Sequence, residues 1–78
     1  NHISAFEFIR QERMRRAALL LGQSTLTIAE VAMEVGYSNP ANFSTEFKKF
    51  WEKSPTQLRT EYQVNPDILQ NFITSKLK

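Results

Sequence analysis

The sequence predicts a small all-α domain of three or four helices, and three observations carry that reading. Apolar residues recur at helical spacing along most of the chain. The periodic stretches open on a serine, threonine or asparagine placed as a helix N-cap. No stretch shows the strict alternation of a half-buried strand. With 78 residues there is one domain, near the lower limit for a self-supporting core, and six Phe plus Trp51 supply bulky material for it.

The first helix opens at Ser4. Ser4 and Glu7 form an S-x-x-E capping box, with Ile3 and Phe8 spaced as its hydrophobic staple. The helix is expected over 4–21, ended by Gly22. Phe6, Ile9, Met14, Ala17, Leu20 and Leu21 fall within a broad apolar face, while Arg10, Arg13, Arg15 and Arg16 bear the charge, diluted only by Glu12. Such a charge run is ordinarily a solvated helix face.

After a polar connection, Thr27 and Glu30 make a second capping box, T-x-x-E, with Leu26 and Val31 as its staple. Ile28, Val31, Ala32 and Val35 have the i, i+3, i+4, i+7 spacing of one buried stripe, with Met33 at its edge. Gly36 then stops the helix, because glycine takes the left-handed conformation without a Cβ penalty. Tyr37-Ser38-Asn39-Pro40 is a turn ending in an N-cap and a helix-starting proline. Phe43, Phe47 and Phe50 share the buried face of the next helix and Trp51 flanks it, which reads as core. The opposite face carries Ala41, Thr45, Lys48 and Glu52, flanked by Asn42, Ser44 and Lys49. Two short helices held by a tight turn over 28–51, the second offered outward, suggest a helix-turn-helix, the unit that sets one helix into a DNA groove.

Ser54, Pro55 and Gln57 start a closing helix over 55–62 that carries Leu58 and Tyr62. Residues 63–78 form a C-terminal extension. There Asn65-Pro66 caps a short amphipathic helix over 66–76, with Ile68, Leu69, Phe72, Ile73 and Leu77 at helical spacing and Lys76 and Lys78 at its end.

Composition excludes several classes. No apolar run approaches the ~20 residues of a membrane span, and no leader directs export. The absence of cysteine removes disulfides and thiolate metal sites and fits a cytoplasmic protein. His2, the single histidine, is a terminal residue and no ligand or base. With no Gly-rich phosphate loop and no paired carboxylates in a cleft, nothing is assigned to catalysis, a metal or a cofactor, so the chain reads as a non-enzyme. A net charge of +2 and a pI of about 9.2 allow a nucleic-acid partner without demanding one.

Three ordered blocks, FIRQERMRRAALLL, then IAEVAMEVGYSNPANFSTEFKKFW, then SPTQLR, resemble the C-terminal DNA-binding domain of AraC/XylS transcriptional regulators. Within them A-x-x-x-G-[FY]-S, F-S-x-x-F-K-K and S-P-x-x-[FYL]-R form a specific combination, and together the blocks cover about three quarters of the chain. The resemblance implies a homeodomain-like fold in which residues 1–62 are the second half of that domain. Residues 4–21 would be the long helix linking two helix-turn-helix units, 28–51 the second unit, and the first unit would be missing. It also implies a double-stranded DNA partner read in the major groove by residues 40–51. An effector-sensing domain N-terminal to the missing unit would belong to the parent protein, with activation of transcription through contact with RNA polymerase.

Carried over residue by residue, the family's base-contacting positions fall on Pro40, Ala41, Ser44 and Thr45, with Asn39 and Asn42 close enough to reach the backbone or a base edge. Many members carry Arg where Thr45 stands, and Arg is the usual bidentate reader of guanine. Phosphate contacts are expected from Thr27, Lys48, Lys49, Lys53, Arg13 and Arg16, with Arg59 as a further cation and the helix-start amides after Thr27 and Asn39 assisting. From residue 17 to residue 47 there is no Lys or Arg, while Glu30, Glu34 and Glu46 are present. Affinity grows with the number of phosphates neutralised, so this stretch alone is expected to bind DNA weakly. A second departure is Glu52, where the family often has Gly. Glutamate takes a left-handed cap at a cost, so the helix is expected to end early or fray there. The alternative function is a protein-interaction or dimerisation module, using the acidic side of Glu30, Glu34 and Glu46 or the apolar face of residues 68–77.

Overall fold

The computed structural model describes residues 4–68, 70 and 71. Four helices follow in order: α1 (Ala5–Gln23), α2 (Ile28–Glu34), α3 (Pro40–Trp51) and α4 (Pro55–Val64). No strand occurs among the described residues. α1 packs along α4 and α2, and α3 packs against α2 and α4.

Local chemistry sets most of the boundaries. The box at the start of α2 is complete: Thr27 N–H donates to Glu30 Oε1 at 2.8 Å and Glu30 N–H donates to Thr27 Oγ1 at 3.1 Å. Ser4 receives the Glu7 amide at 3.0 Å, but the Glu7 carboxylate turns forward to Arg10, so only half of the box expected there forms. At Gly36 φ is +97°. Its amide donates to Met33 O at 3.1 Å and that of Tyr37 to Ala32 O at 2.8 Å, the paired bonds of a Schellman turn. Asn39 and Ser54 cap α3 and α4, each followed by proline in the first turn.

Three boundaries differ from expectation. Gly22 lies inside α1, which continues to Gln23, where Ser24 N–H and Oγ–H both donate to Leu20 O, at 3.1 and 2.7 Å. The Ser24 side chain thus ends the helix without a left-handed residue. α4 runs two residues beyond the expected 62, to Val64, capped by Asn65. Glu52 takes the left-handed conformation (φ 66°, ψ 20°) with its amide on Lys48 O at 2.7 Å, and α3 neither frays nor stops early. The preceding turn carries Phe50 and Trp51 into the core, and burying a side chain of that size contributes about 1.5–3 kcal/mol. That outweighs the ~1 kcal/mol a non-glycine residue costs in this region.

The core comprises Met14, Ala17, Ala18 and Leu21 from α1, Val31, Ala32 and Val35, the four aromatics of α3, and Leu58. Ile28 is half-buried against it. Phe43, Phe47 and Trp51 stack along α3 with centroids 5.6 and 6.4 Å apart, and Tyr37 meets Phe43 edge-on at 5.5 Å. Trp51 Nε1–H donates to Met14 O at 3.1 Å, tying α3 to α1 in the interior. The apolar face expected on α1 holds only in its second half. Phe6 and Ile9 are exposed, as is Phe8, and the buried residues of α1 begin only at Met14. Met33 is exposed as well.

Past α4, Asn65 Oδ1 accepts from the Asp67 amide at 3.2 Å, as the expected cap would, and residues 67, 68, 70 and 71 are helical. The remainder of the helix expected over 66–76, including Leu69, Phe72, Ile73 and Lys76, lies outside the described residues, as do Leu77, Lys78, His2 and Ile3.

Candidate nucleic-acid interface

One face of α3 is locked and the other is open. With Phe43, Phe47, Phe50 and Trp51 turned inward, the helical repeat leaves Pro40, Ala41, Asn42, Thr45, Lys48 and Lys49 exposed. Ser44 is half-buried at the edge of this row. Of the expected base-contacting residues, Pro40, Ala41, Asn42 and Thr45 therefore share an open surface. Asn39 is exposed, but its Oδ1 accepts from the amides of Ala41 at 2.9 Å and Asn42 at 3.2 Å, so its side chain is committed to the helix start. Thr45 Oγ1–H donates to Ala41 O at 3.1 Å, which leaves the hydroxyl's lone pairs directed outward as an acceptor.

The cations divide into held and open ones. Lys53 is ion-paired with Glu61. Lys49 Nζ lies 3.9 Å from Glu46 Oε2, while no carboxylate pairs with Lys48 among the described residues. The Arg59 guanidinium, expected as a DNA-facing cation, instead turns inward: Nε–H donates to Leu21 O at 2.9 Å and one terminal nitrogen is buried. It satisfies a carbonyl at the end of α1, where positive charge suits the helix dipole. Thr27 Oγ1 is taken by its own capping box.

The α1 arginines divide: Arg10 is held against α3, Arg15 pairs within α1, and Arg13 and Arg16 are exposed. Arg10 lies over the Phe50 ring, 5.1 Å from its centroid, and reaches Glu7 at 3.3 Å and Glu46 at 3.8 Å. Arg13 lies 6.0 Å from the Tyr37 centroid, beside Gly36, where an added Cβ would meet its guanidinium at 3.5 Å. Arg15 donates to Glu12 at 2.8 Å, and that hydrogen bond holds the Glu12 carboxyl below its usual range. Arg16 is exposed. Burial, then the Glu46 charge, pushes the Tyr37 phenol up, against the opposing pull of Arg13 and Arg10.

Between α1 and α3 runs a groove of about 340 Å³ walled by Arg10 and Arg13 on one side and Asn42 and Glu46 on the other, over Tyr37, Phe6 and Ile9. The acidic side imagined for a protein partner is broken up, since Glu30 caps α2 and Glu46 pairs with two cations.

The arrangement is a turn-linked helix pair that buries one face and offers the N-terminal half of the second helix. A family profile described as a helix-turn-helix domain matches residues 2–61. The chain belongs to the AraC-type helix-turn-helix family. Its similarity extends to the Msm operon regulatory protein of Streptococcus mutans, 42% identical over 64 residues, which is 82% of this chain and 23% of that protein. The HTH-type transcriptional regulator AlkR of Acinetobacter baylyi is 38% identical over 60 residues, 77% of this chain and 20% of its own length. Histidine kinase P4 of Formosa agariphila is 36% identical over 56 residues, 72% of this chain and 4% of that protein. The chain thus spans less than a quarter of each of these relatives. No solved structure matches it. As an AraC-type domain it is a sequence-specific DNA-binding unit of the kind transcriptional regulators carry. Among the described residues no helix is long and apolar enough to cross a membrane.

What a sequence reading missed are the tertiary roles of Arg10, Arg13, Arg59 and the Trp51 indole. Each partner lies elsewhere in the chain, at separations such as 37 and 38 residues, where no local pattern signals a contact.

Proposed function

We propose that α3 is the DNA-reading helix of a bacterial transcriptional regulator, lying in the major groove with Pro40, Ala41, Asn42, Ser44 and Thr45 toward the bases. The observation that carries this is the open row of small and polar side chains on a helix whose other face is fixed by four buried aromatics. Small residues let the backbone approach the base edges, and the Thr45 hydroxyl and the Ala41 and Thr45 methyls supply an acceptor and thymine-methyl contacts. Lys48 and Lys49, one turn further along, meet the phosphate backbone, with Arg13 and Arg16 of α1 and the amides at the start of α2 alongside. Lys53 joins them only by leaving Glu61.

The domain contributes binding and no catalysis, acts in the cytoplasm, and serves a longer parent. That parent supplies a sensor domain, a first helix-turn-helix unit and the contact with RNA polymerase. Because several cations are paired within the domain, this unit alone binds DNA weakly and with a marked salt dependence. The test is a salt titration of DNA binding with Lys48→Ala. Loss of affinity with a log–log slope shallower by about 0.9 supports the reading. Unchanged affinity and slope, in a variant that still folds, refute it.

A further inference from the structure

Glu46 stands on the edge of α3 that faces α1, between two cations. Its Oε1 lies 3.8 Å from Arg10 Nη2 and its Oε2 lies 3.9 Å from Lys49 Nζ. The two cations are not equivalent. Arg10 has independent anchors, the Phe50 ring and the Glu7 carboxylate, and its side chain is 28% exposed. Lys49 is 68% exposed, and Glu46 is its ion-pair partner among the described residues. Seven residues after Asn42, Lys49 lies about 20° from it around the helix axis, two turns on. It therefore continues the row that carries Asn42 and Thr45.

We propose that Glu46 is a built-in competitor for DNA that limits affinity by pairing Lys49. A carboxylate and a phosphate oxygen bind the same ammonium hydrogens, so Lys49 cannot serve both fully. Each cation that reaches a phosphate releases counterion and adds about 0.9 to the salt slope, so a lysine held back by Glu46 lowers both affinity and slope. The pairing is loose and exposed, which makes the effect one of tuning, worth about three-fold in affinity. Glu46 also joins Arg10 to α3, so neutralising it as glutamine keeps an acceptor for Arg10 while removing the charge. The inference rests on α3 facing DNA.

The experiment measures binding of the 78-residue chain to a mixed-sequence duplex of about two helical turns, by fluorescence anisotropy over a salt series. The proteins are the wild type, Glu46→Gln, Lys49→Ala, the Glu46→Gln/Lys49→Ala pair, and Lys48→Ala. Glu46→Gln is expected to bind about three-fold tighter at low salt with a steeper slope, and the double variant to return close to Lys49→Ala alone. No gain in Glu46→Gln, or a gain that survives intact without Lys49, overturns the proposal. If Lys48→Ala still weakens binding in that case, α3 still faces DNA and the competitor role alone is lost. If Lys48→Ala has no effect, the DNA-facing assignment falls and this inference with it.

Discussion

The two faces of α3 are built on opposite rules. Inward, Phe43, Phe47 and Trp51 are almost wholly buried, ring against ring, and the Trp51 indole is hydrogen-bonded to the Met14 carbonyl. Outward, Ala41, Thr45 and Lys48 project from the helix, and the nearby charges are partly cancelled by Glu46 and Glu61. The inner face holds position through area removed from water and cannot be altered without disturbing its neighbours. The outer face carries little of the stability, so its chemistry can change while the frame stays. On the proposed DNA-facing reading, this separation lets one frame present different reading surfaces, and the limit on DNA affinity lies in the outer residues rather than in the fold.

Phe47→Ala should break the contrast most severely. It deletes a fully buried ring in contact with two aromatic neighbours, at a cost of about 3–5 kcal/mol. That is comparable to the whole stability of a domain this small, so urea denaturation should show the variant largely unfolded in water. Thr45→Arg is the complementary outer change. It should leave the denaturation midpoint nearly unchanged while tightening DNA binding about ten-fold, because it adds a cation and a guanine reader to the open row. A large stability loss in this variant would mean that the outer face is not independent of the core.

Glu52→Gly acts where the helix leaves the core. At φ 66° glycine escapes the steric penalty, so the thermal midpoint should rise by an amount corresponding to about 1 kcal/mol. No rise would show that interactions of the Glu52 side chain offset the strain. The smallest effect concerns Tyr37, at the seam between α1 and α3. Its phenol titrates above the ordinary 10.0 in the folded chain, so above pH 10 the unfolded state loses this proton first. The stabilisation is present below pH 10 and is lost as pH rises through the raised folded value. Tyr37→Phe should therefore show a shallower alkaline loss of stability than the wild type, measured by denaturation from pH 9 upward.

Much of this protein was legible in its sequence because the signals are local. A cap needs only a side chain within a few residues of the amides it satisfies, as at Thr27, Asn39 and Ser54. The aromatic stripe of α3 follows from the helical repeat alone, and so does the outward row of Ala41, Thr45 and Lys48. Gly36 announced its turn because few other residues adopt φ +97°. The family blocks then pointed to DNA. The same locality explains the misses. Gly22 looked like a stop, but helix breaking at one glycine costs little against the buried contacts of Leu21 and a Ser24 cap. Glu52 looked like a poor cap, but the burial of Trp51 decided the helix end. Arg59 looked like a cation for phosphate until the fold set the end of α1 beside it. Phe6 and Ile9 had the right period for a core face, but only the tertiary packing determines which half of α1 is covered. Which groups cap, stripe and turn is a property of neighbours along the chain. Some charges pair with helical neighbours, as Lys49 does with Glu46. Whether Arg10, Lys53 and Arg59 stay open to a partner depends on what the folded chain brings beside them, and that only the tertiary structure decided.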